Sequence, residues 1–215
     1  TLPLNKLFEP AIKLAEQGYV LTKNQANSLN SNRYKINQLN DTILLFNKTF
    51  KEGDLFVNKP LANSLKLILK NGRDEFYKGT ISKKIISYVN SKNGILNEKD
   101  FENYEAKWRD PITFKYKDLK IISMGPPSSG GIILGQILKM IEPFNVNELD
   151  HNSLKYIQLL VEAERRSFAD RGKYLGDPDF NYIPVEELLN KEYLLERMNN
   201  FSFEKPTPSN LISFG

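Results

Sequence analysis

Ser128 and Ser129 are the residues of this sequence whose type and setting most suggest chemistry. They lie in the segment MGPPSSGG (124–131), between two prolines and two glycines. An activated serine can act as a nucleophile, and a glycine-rich turn that opens a helix can bind a phosphate. The third interpretation is a turn that only joins a strand to a helix.

Both chemical interpretations match their patterns only in part. A nucleophile elbow has a glycine two residues before and two residues after the serine, whereas Ser129 has Pro127 before it and Gly131 after it. A phosphate loop continues with Lys and Ser or Thr after its second glycine, whereas Gly130 is followed by glycine and isoleucine. Pro126 and Pro127 also lack the amide hydrogens that a phosphate requires. On local grounds we predict a structural turn.

Few other side chains could complete a catalytic or metal site. The chain has no cysteine and a single histidine, His151, which excludes disulfides, thiol catalysis and a histidine-cluster metal site. A Ser-His-Asp triad would depend on His151, which follows Asp150 at an expected helix start, where capping or exposure is the commoner role. We identify no cofactor site in the sequence.

The segment EAERRSFADRGKYLGDPDF (162–180) carries the densest charge. On a helix, Glu162 would face Arg165 and Arg166, and Arg166 would also face Asp170. Exposed pairs of this kind contribute only ~0.3–0.5 kcal/mol each. We expect nearby rings and apolar side chains to bury some of these charges and so strengthen the pairs; they are Phe168, Tyr174, Leu175 and Phe180.

The end of this segment turns tightly through Gly176 and Pro178. Asp177 and Asp179 are metal ligands by type, but two carboxylates without a third oxygen-rich neighbour make a poor calcium loop, and we predict an Asx turn. We assign a structural role to Pro126, Pro127, Ser128, Ser129, Gly130, Gly131, Arg166, Asp170, Arg171, Gly176, Asp177, Pro178 and Asp179.

The periodicity of apolar residues places these motifs on a helix-rich α+β chain with a small antiparallel sheet. The predicted helices are 4–17, 22–39, 60–71, 80–91, 97–104, 131–141, 152–171, 185–190 and 192–200. The predicted strands are 105–108, 112–117 and 119–124, and 42–46 is a strand or an apolar loop anchor. The turn 126–131 therefore joins a strand to a helix.

Composition narrows the function classes. At 215 residues the chain is one domain of ordinary size or a piece of a larger one. The net charge is only +4, and the lysines are scattered along the chain, so the sequence shows no basic stripe for nucleic acid. No apolar run approaches the ~20 residues that a membrane span needs. The missing initiator methionine and the linker-like tail 204–215 lead us to expect a piece of a longer chain.

Six ordered segments share a resemblance that covers nearly the whole chain. They are LFEPAIKLAEQGY (7–19), GDLFVNKPLANSLKLI (53–68), GRDEFYKGTISKKI (72–85), LNEKDFENYEAKWRDPI (96–112), PPSSGG (126–131) and AERRSFADRGKYLGDPDF (163–180). Together they resemble the gamma-glutamyltranspeptidase (glutathione hydrolase) family. Gly125 departs from the family, which often has a third proline there, and we expect a looser turn.

The resemblance implies a precursor that cuts itself into a large and a small subunit. The new N-terminal threonine of the small subunit would be the nucleophile, with its own α-amino group as base, in an αββα N-terminal-nucleophile hydrolase sandwich that both subunits share. Residues 1–203 would be the C-terminal part of the large subunit, and 204–215 a linker-like tail leading towards the self-cleavage site.

The resemblance also implies that no principal catalytic or substrate-binding group lies in this chain. The nucleophile and a substrate-binding serine pair would belong to the small subunit, and the arginine that grips the substrate carboxylate would precede Thr1. Ser128 and Ser129 do not match either serine role. Thr1 is not a candidate nucleophile, because it matches a position inside the large subunit.

The activity implied is cleavage of gamma-glutamyl amides such as glutathione, with transfer to water or an amino acid. The partners implied are the rest of the large subunit and the small catalytic subunit, without nucleic acid or a membrane span. Bacterial members are commonly exported, which implies a periplasmic or extracellular location. We expect this chain alone to be inactive. The alternatives are a non-catalytic scaffold or binding module derived from the large subunit, and a serine hydrolase using Ser128 or Ser129 with His151.

Overall fold

The computed structural model describes residues 2–40 and 44–215. The chain divides into two compact units, Thr1–Ala106 (unit 1) and Lys107–Gly215 (unit 2). Helices predominate in both units, and the described residues form two separate two-stranded antiparallel sheets. The helix-rich α+β class is therefore confirmed, with two small sheets where one was predicted.

In its described residues, unit 1 consists of helices, a 3-10 turn and one short strand pair. Its elements are α1 (Leu4–Gln17), β1 (Tyr19–Val20), α2 (Lys23–Leu39), β2 (Leu55–Phe56), α3 (Lys59–Asn71), α4 (Arg73–Tyr77), α5 (Thr80–Ser91) and α6 (Glu98–Glu102). The ends follow local signals: Thr22 caps α2, Asn58 caps α3, and Asn97 opens α6 in a capping box. Each of these capping contacts joins residues a few positions apart, so the sequence alone can show where such a helix begins.

Gly18 links α1 to the strand pair of unit 1. Its φ of 88° lies in the region that favours glycine, and a Cβ there would lie 2.7 Å from Val57 Cγ2. The strands β1 and β2 then pair Tyr19 with Phe56. Phe56 belongs to a small buried cluster in this unit; its buried members are Leu21, Ala26, Phe50 and Phe56.

The turn between α4 and α5 is built around Glu75, which is buried. Its carboxylate accepts hydrogen bonds from the Thr80 backbone N–H at 3.1 Å, from the Thr80 hydroxyl and from Asn71 Nδ2 at 2.8 Å. The hydrogen bonds from Thr80 and Asn71 hold the pKa of the Glu75 carboxyl below its ordinary value. The buried carboxylate thus satisfies the first backbone donor of α5.

Unit 2 contains the two segments that sequence analysis singled out. Its elements are β3 (Ile112–Tyr116), β4 (Leu119–Ser123), α7 (Gly130–Ile141), α8 (Leu154–Tyr174), α9 (Val185–Leu188) and α10 (Lys191–Arg197). The strands β3 and β4 pair Ile112 with Ser123 and Tyr116 with Leu119. Lys117 takes a positive φ of 51° in the tight turn between them.

Two buried clusters hold unit 2 together. The first joins α7, α8 and α10 through Met140, Ile141, Leu159, Ala163, Leu194 and Met198. The second joins β3, α7 and α9 through Ile112, Phe114, Ile132, Ile183 and Leu188. Helix α7 contributes to both clusters, so the turn that precedes it is tied directly to the core.

The strand prediction for 105–108 is wrong, and for 42–46 the strand alternative is contradicted in the described residues, whereas the alternative of an apolar loop anchor is not. The first, 105–108, forms no regular element in the structure, because Lys107 and Arg109 both extend to Asp179 and Trp108 is fully exposed. In the second, 42–46, residues 42 and 43 lie outside the described residues, and Leu44–Phe46 is a single 3-10 turn.

Candidate functional site

The turn 124–131 is held by backbone hydrogen bonds at both ends. The Ser128 N–H donates to the Gly125 carbonyl at 3.1 Å, and the Gly131 N–H donates to the Met124 carbonyl at 3.2 Å. A Cβ on Gly131 would lie 2.4 Å from the Met124 oxygen, far inside van der Waals contact. Glycine at 131 is therefore what lets α7 start directly above the end of β4.

The two serines of this turn have structural partners. The Ser128 Oγ accepts the Gly130 N–H at 3.3 Å, and the Ser129 Oγ accepts the Arg171 Nε–H at 3.1 Å. A guanidinium has no acceptor and cannot take a proton from a serine. His151 lies beside Asn152, with 3.0 Å between the side-chain nitrogens. Within the described residues, His151 makes no hydrogen bond to either serine, so this geometry gives no support to a serine nucleophile.

Helix α8 carries a row of buried charged residues where a solvent-exposed charged face would be the common arrangement. Glu162, Arg166 and Asp170 follow one another at four-residue spacing, which places them on one side of the helix. Each exposes 2% or less of its surface. Charged residues are rarely buried to this extent unless they are paired, and the partners come from α8 itself, from α7 and α10, and from the tail.

The first carboxylate of the row, Glu162, accepts hydrogen bonds from three residues. Arg166 Nη1 lies 2.5 Å from Oε2, Arg165 Nη1 lies 2.8 Å from Oε1, and the Thr207 backbone N–H donates to Oε1 at 3.1 Å. Burial raises the pKa of the Glu162 carboxyl, but hydrogen bonds from Arg166 and Thr207 outweigh it, and the pKa lies below its ordinary value of 4.5. The carboxylate is therefore held in its charged form.

The second carboxylate, Asp170, joins three elements and the tail. Its Oδ2 accepts hydrogen bonds from Gln136 Nε2 at 3.0 Å and from the Tyr193 hydroxyl at 2.7 Å. Its Oδ1 accepts the Gly215 N–H at 3.1 Å and lies 3.0 Å from Arg197 Nη2. Burial, and then the hydrogen bond to Asp170, raise the pKa of the Tyr193 phenol well above its ordinary value, so Tyr193 stays a donor.

The structure corrects two details of the predicted charge pairing. The predicted pairs of Glu162 with Arg165 and Arg166 are present, whereas Asp170 pairs with Arg197 of α10 and not with Arg166. Phe168 and Phe180 are exposed and do not shield the row. Shielding comes from packing between α8, α7 and α10, which sequence spacing along α8 could not reveal.

The turn after α8 closes through the predicted Asx arrangement. The Asp177 Oδ1 accepts the Asp179 N–H at 2.9 Å. Asp179 in turn binds Arg109 Nη2 and Lys107 Nζ, both at 2.9 Å. The hydrogen bond from Arg109 and then that from Lys107 hold the pKa of the Asp179 carboxyl below its ordinary value. Asp179 is therefore paired with the cationic side chains of Lys107 and Arg109, of which only Lys107 belongs to the wrongly predicted strand 105–108.

Sequence reasoning missed the partners that α7, α10 and the tail supply. Gln136 is 1% exposed in a helix whose only other polar side chain is that of Lys139, and this amide among apolar positions was the available signal. Tyr193, Arg197 and Gly215 carry no such signal, because nothing nearby in the sequence marks them as partners of α8. The tail is also more closely packed than its composition suggests, since Thr207 is buried.

The charged groups of Glu162 and Asp170 are paired with those of Arg166 and Arg197. The arrangement therefore holds helices α8 and α10 together. Across the described ranges, no three His, Asp or Glu side chains come together in a way that could hold a metal ion. None of the helices in those ranges is both long enough and apolar enough to cross a membrane.

These elements form part of the fold of the N-terminal-nucleophile hydrolases. The chain superposes on the crystal structure of Helicobacter pylori gamma-glutamyltranspeptidase with a TM-score of 0.93 and 38% identity, covering 100% of this chain and 63% of that one. The profile of the gamma-glutamyltranspeptidase family matches residues 1–213. The chain belongs to the gamma-glutamyltranspeptidase family.

Two curated relatives agree with this assignment. The chain is 37% identical over 219 residues to the glutathione hydrolase proenzyme of Escherichia coli (strain K12), covering 100% of this chain and 38% of that protein. It is 37% identical over 207 residues to the glutathione hydrolase proenzyme of Bacillus subtilis (strain 168), covering 95% and 35%. The chain thus spans less than two-fifths of the length of these relatives, which are named as proenzymes.

Proposed function

We propose that this chain is the C-terminal part of the large subunit of a gamma-glutamyltranspeptidase. The complete enzyme cleaves gamma-glutamyl amides such as glutathione and passes the gamma-glutamyl group to water or to an amino acid. The observation that carries the proposal is the 37% identity to a glutathione hydrolase proenzyme over the whole of this chain. The nucleophilic threonine lies outside these residues, and no cofactor takes part.

Within that enzyme, the residues of the two conspicuous segments act as supports. Ser129 holds Arg171, and the buried row Glu162, Arg166 and Asp170 ties α8 to α10 and to the tail. Groups already satisfied by fixed partners are poor candidates for binding a substrate that must come and go. This supports a structural role for both segments and no direct role in catalysis.

The partners that we propose are the rest of the large subunit and the small catalytic subunit. Residues 1–203 then belong to the body of the large subunit, and 204–215 lead towards the self-cleavage site. The location that we propose is periplasmic or extracellular, by resemblance to the bacterial members of the family.

The parent reading frame tests the proposal. We expect a threonine within a few tens of residues after Gly215, and a full-length precursor that separates into two chains and releases product from a gamma-glutamyl anilide. Replacing that threonine with alanine should abolish both, whereas Ser129→Ala in the full-length protein should abolish neither.

Two results would overturn the proposal. A parent sequence without such a threonine would favour the non-catalytic module. Turnover of the anilide by this chain alone, lost in Ser129→Ala but retained in a Ser128→Ala control, would instead favour a serine hydrolase.

A further inference from the structure

The tail 204–215 is fastened to α8 at two points. At the first, the Thr207 N–H donates to Glu162 Oε1 at 3.1 Å, and Arg165 Nη1 donates to the Thr207 carbonyl at 2.9 Å. A 3-10 turn, Ser209–Leu211, follows. Between this point and the end of the tail lies a cavity of about 390 Å³ that Arg166, Arg197 and the tail line together.

The second point holds residues 213–215 by their backbone. Arg197 Nη2 donates to the Ser213 carbonyl at 2.7 Å, and Asp170 Oδ1 accepts the Gly215 N–H at 3.1 Å. The Tyr174 hydroxyl donates to the Gly215 carbonyl at 2.6 Å. Hydrogen bonds in which one partner is charged are the stronger ones in proteins, and two of these three involve a charged side chain.

The second point has room only for glycine at position 215. A Cβ on Gly215 would lie 2.5 Å from the Tyr193 hydroxyl and 2.8 Å from Arg197 Cδ. The Tyr193 hydroxyl cannot move away freely, because it donates to Asp170 at 2.7 Å. Any side chain at 215 would therefore break either the hydrogen bond from Tyr193 to Asp170 or the contacts that hold the tail.

We propose that Asp170, Tyr174 and Arg197 form an anchor for the backbone of residues 213–215, and that this anchor positions the chain that follows for self-cleavage. The second half rests on the proposed function, in which the chain continues from Gly215 to the nucleophilic threonine. A chain held at a buried carboxylate starts from one fixed place, and intramolecular reactions depend steeply on how well the reacting groups are placed. These three side chains are positioning residues and take no part in the bond cleavage.

The test uses the full-length precursor with Gly215→Ala and Tyr174→Phe as the disrupting variants. Gly172→Ala on α8 is the matched control, since a Cβ there meets no atom within 4 Å. Amide hydrogen exchange over residues 207–215 reports the docking of the tail, and the conversion of precursor into two chains reports self-cleavage. Thermal midpoints check that each variant is folded.

We expect Gly215→Ala to speed amide exchange over 207–215 about tenfold, as for the loss of one hydrogen bond to a charged group, and to slow self-cleavage about tenfold. Tyr174→Phe should shift both rates in the same directions by less, and Gly172→Ala should leave both unchanged. The folded fraction should stay that of the wild type, which separates positioning from general destabilisation.

Three results would count against the anchor or its role. Unchanged exchange in both disrupting variants would show that the anchor does not hold the tail. Faster exchange with unchanged self-cleavage would show that the anchor does not position the chain for cleavage. A wild-type precursor that never separates would overturn the proposed function and the positioning role together, whereas the exchange rates would still decide whether the anchor exists.

Discussion

Arg166 illustrates how a single side chain can tie several elements together while buried. All three of its guanidinium nitrogens donate hydrogen bonds: to the Arg197 carbonyl at 2.6 Å, to both the carbonyl and the carboxylate of Glu162, and to Asn200 and Thr207. A planar guanidinium with a rigid set of donors suits such a site, and a lysine could not replace it.

Replacing Arg166 with alanine should therefore destabilise the protein strongly. Glu162 would be left buried without its closest counter-charge, which costs about 3–5 kcal/mol in comparable pairs. Arg165 is a matched comparison on the same carboxylate, but 27% of its side chain is exposed, and Arg165→Ala should cost clearly less. Urea unfolding measures the change in the free energy of unfolding for both variants. A change within ~0.5 kcal/mol for Arg166→Ala would mean that the pair behaves as an exposed one.

A second prediction concerns Glu162 and the dependence of stability on pH. Its pKa in the folded protein lies below the ordinary value of 4.5, so as the pH falls below about 4.5 the unfolded chain takes up a proton before the folded chain does. The free energy of unfolding that Glu162 contributes is present above that pH and is lost as the pH falls through the folded pKa.

The measurement is the urea midpoint between pH 6 and pH 3. The wild type and the exposed-site control Glu164→Gln should lose stability steeply below about pH 4.5, whereas Glu162→Gln should start lower and show a flatter curve. Parallel curves for Glu162→Gln and the wild type would show that this carboxyl does not carry the acid sensitivity.

At the scale of elements, the passage from β4 to α7 depends on one close backbone contact. Gly131 approaches the Met124 carbonyl so closely that an added Cβ would lie 2.4 Å from its oxygen, whereas a Cβ on neighbouring Gly130 would lie 3.4 Å from the Ser128 Oγ, an ordinary contact. The two glycines are adjacent in the sequence, but only one of them is required by the packing.

Gly131→Ala and Gly130→Ala should therefore differ sharply. The first forces the strand end and the helix start apart and should cost about 1–3 kcal/mol, the usual range for overpacking. The second should stay within about 0.5 kcal/mol of the wild type, as for substitutions away from packed features. Thermal and urea unfolding of both variants decide the matter, and equal losses would contradict the close approach that we describe.

At the scale of the whole molecule, unit 2 exposes apolar side chains around two adjoining grooves. These grooves, of about 580 and 460 Å³, share Arg109, Asp110 and Pro126 in their linings. The exposed apolar residues at or near them are Trp108, Ile122, Met124, Phe180 and Tyr182. Extended exposed apolar surface commonly marks a place where another protein segment packs, and the rest of the large subunit is the occupant that we propose.

Produced on its own, this chain should therefore self-associate. Trp108→Ser combined with Tyr182→Ser should reduce that association, because both replace exposed rings with polar side chains. Tyr34→Ser serves as control, since Tyr34 is an exposed ring on α2 in unit 1. Sedimentation velocity measures the oligomer distribution. A monomeric wild-type chain would argue for an independent module.

The sequence by itself determined most helices of this protein and the turns that separate them. Helices 4–17 and 80–91 were placed correctly, and the caps at Thr22 and Asn97 were identified, because apolar periodicity and capping act between residues a few positions apart. The six family segments also determined the fold and the family, since their order and spacing are specific.

Only the tertiary structure decided which side chains complete the buried charged row. Asp170 was expected to pair four residues back along its own helix, yet its partners are Gln136, Tyr193, Arg197 and Gly215. Those residues lie between 23 and 45 positions away, and no local pattern encodes a contact over such a separation. Burial of Asp170 results from the packing of α7 and α10 against α8, and the same packing brings the tail to its anchor.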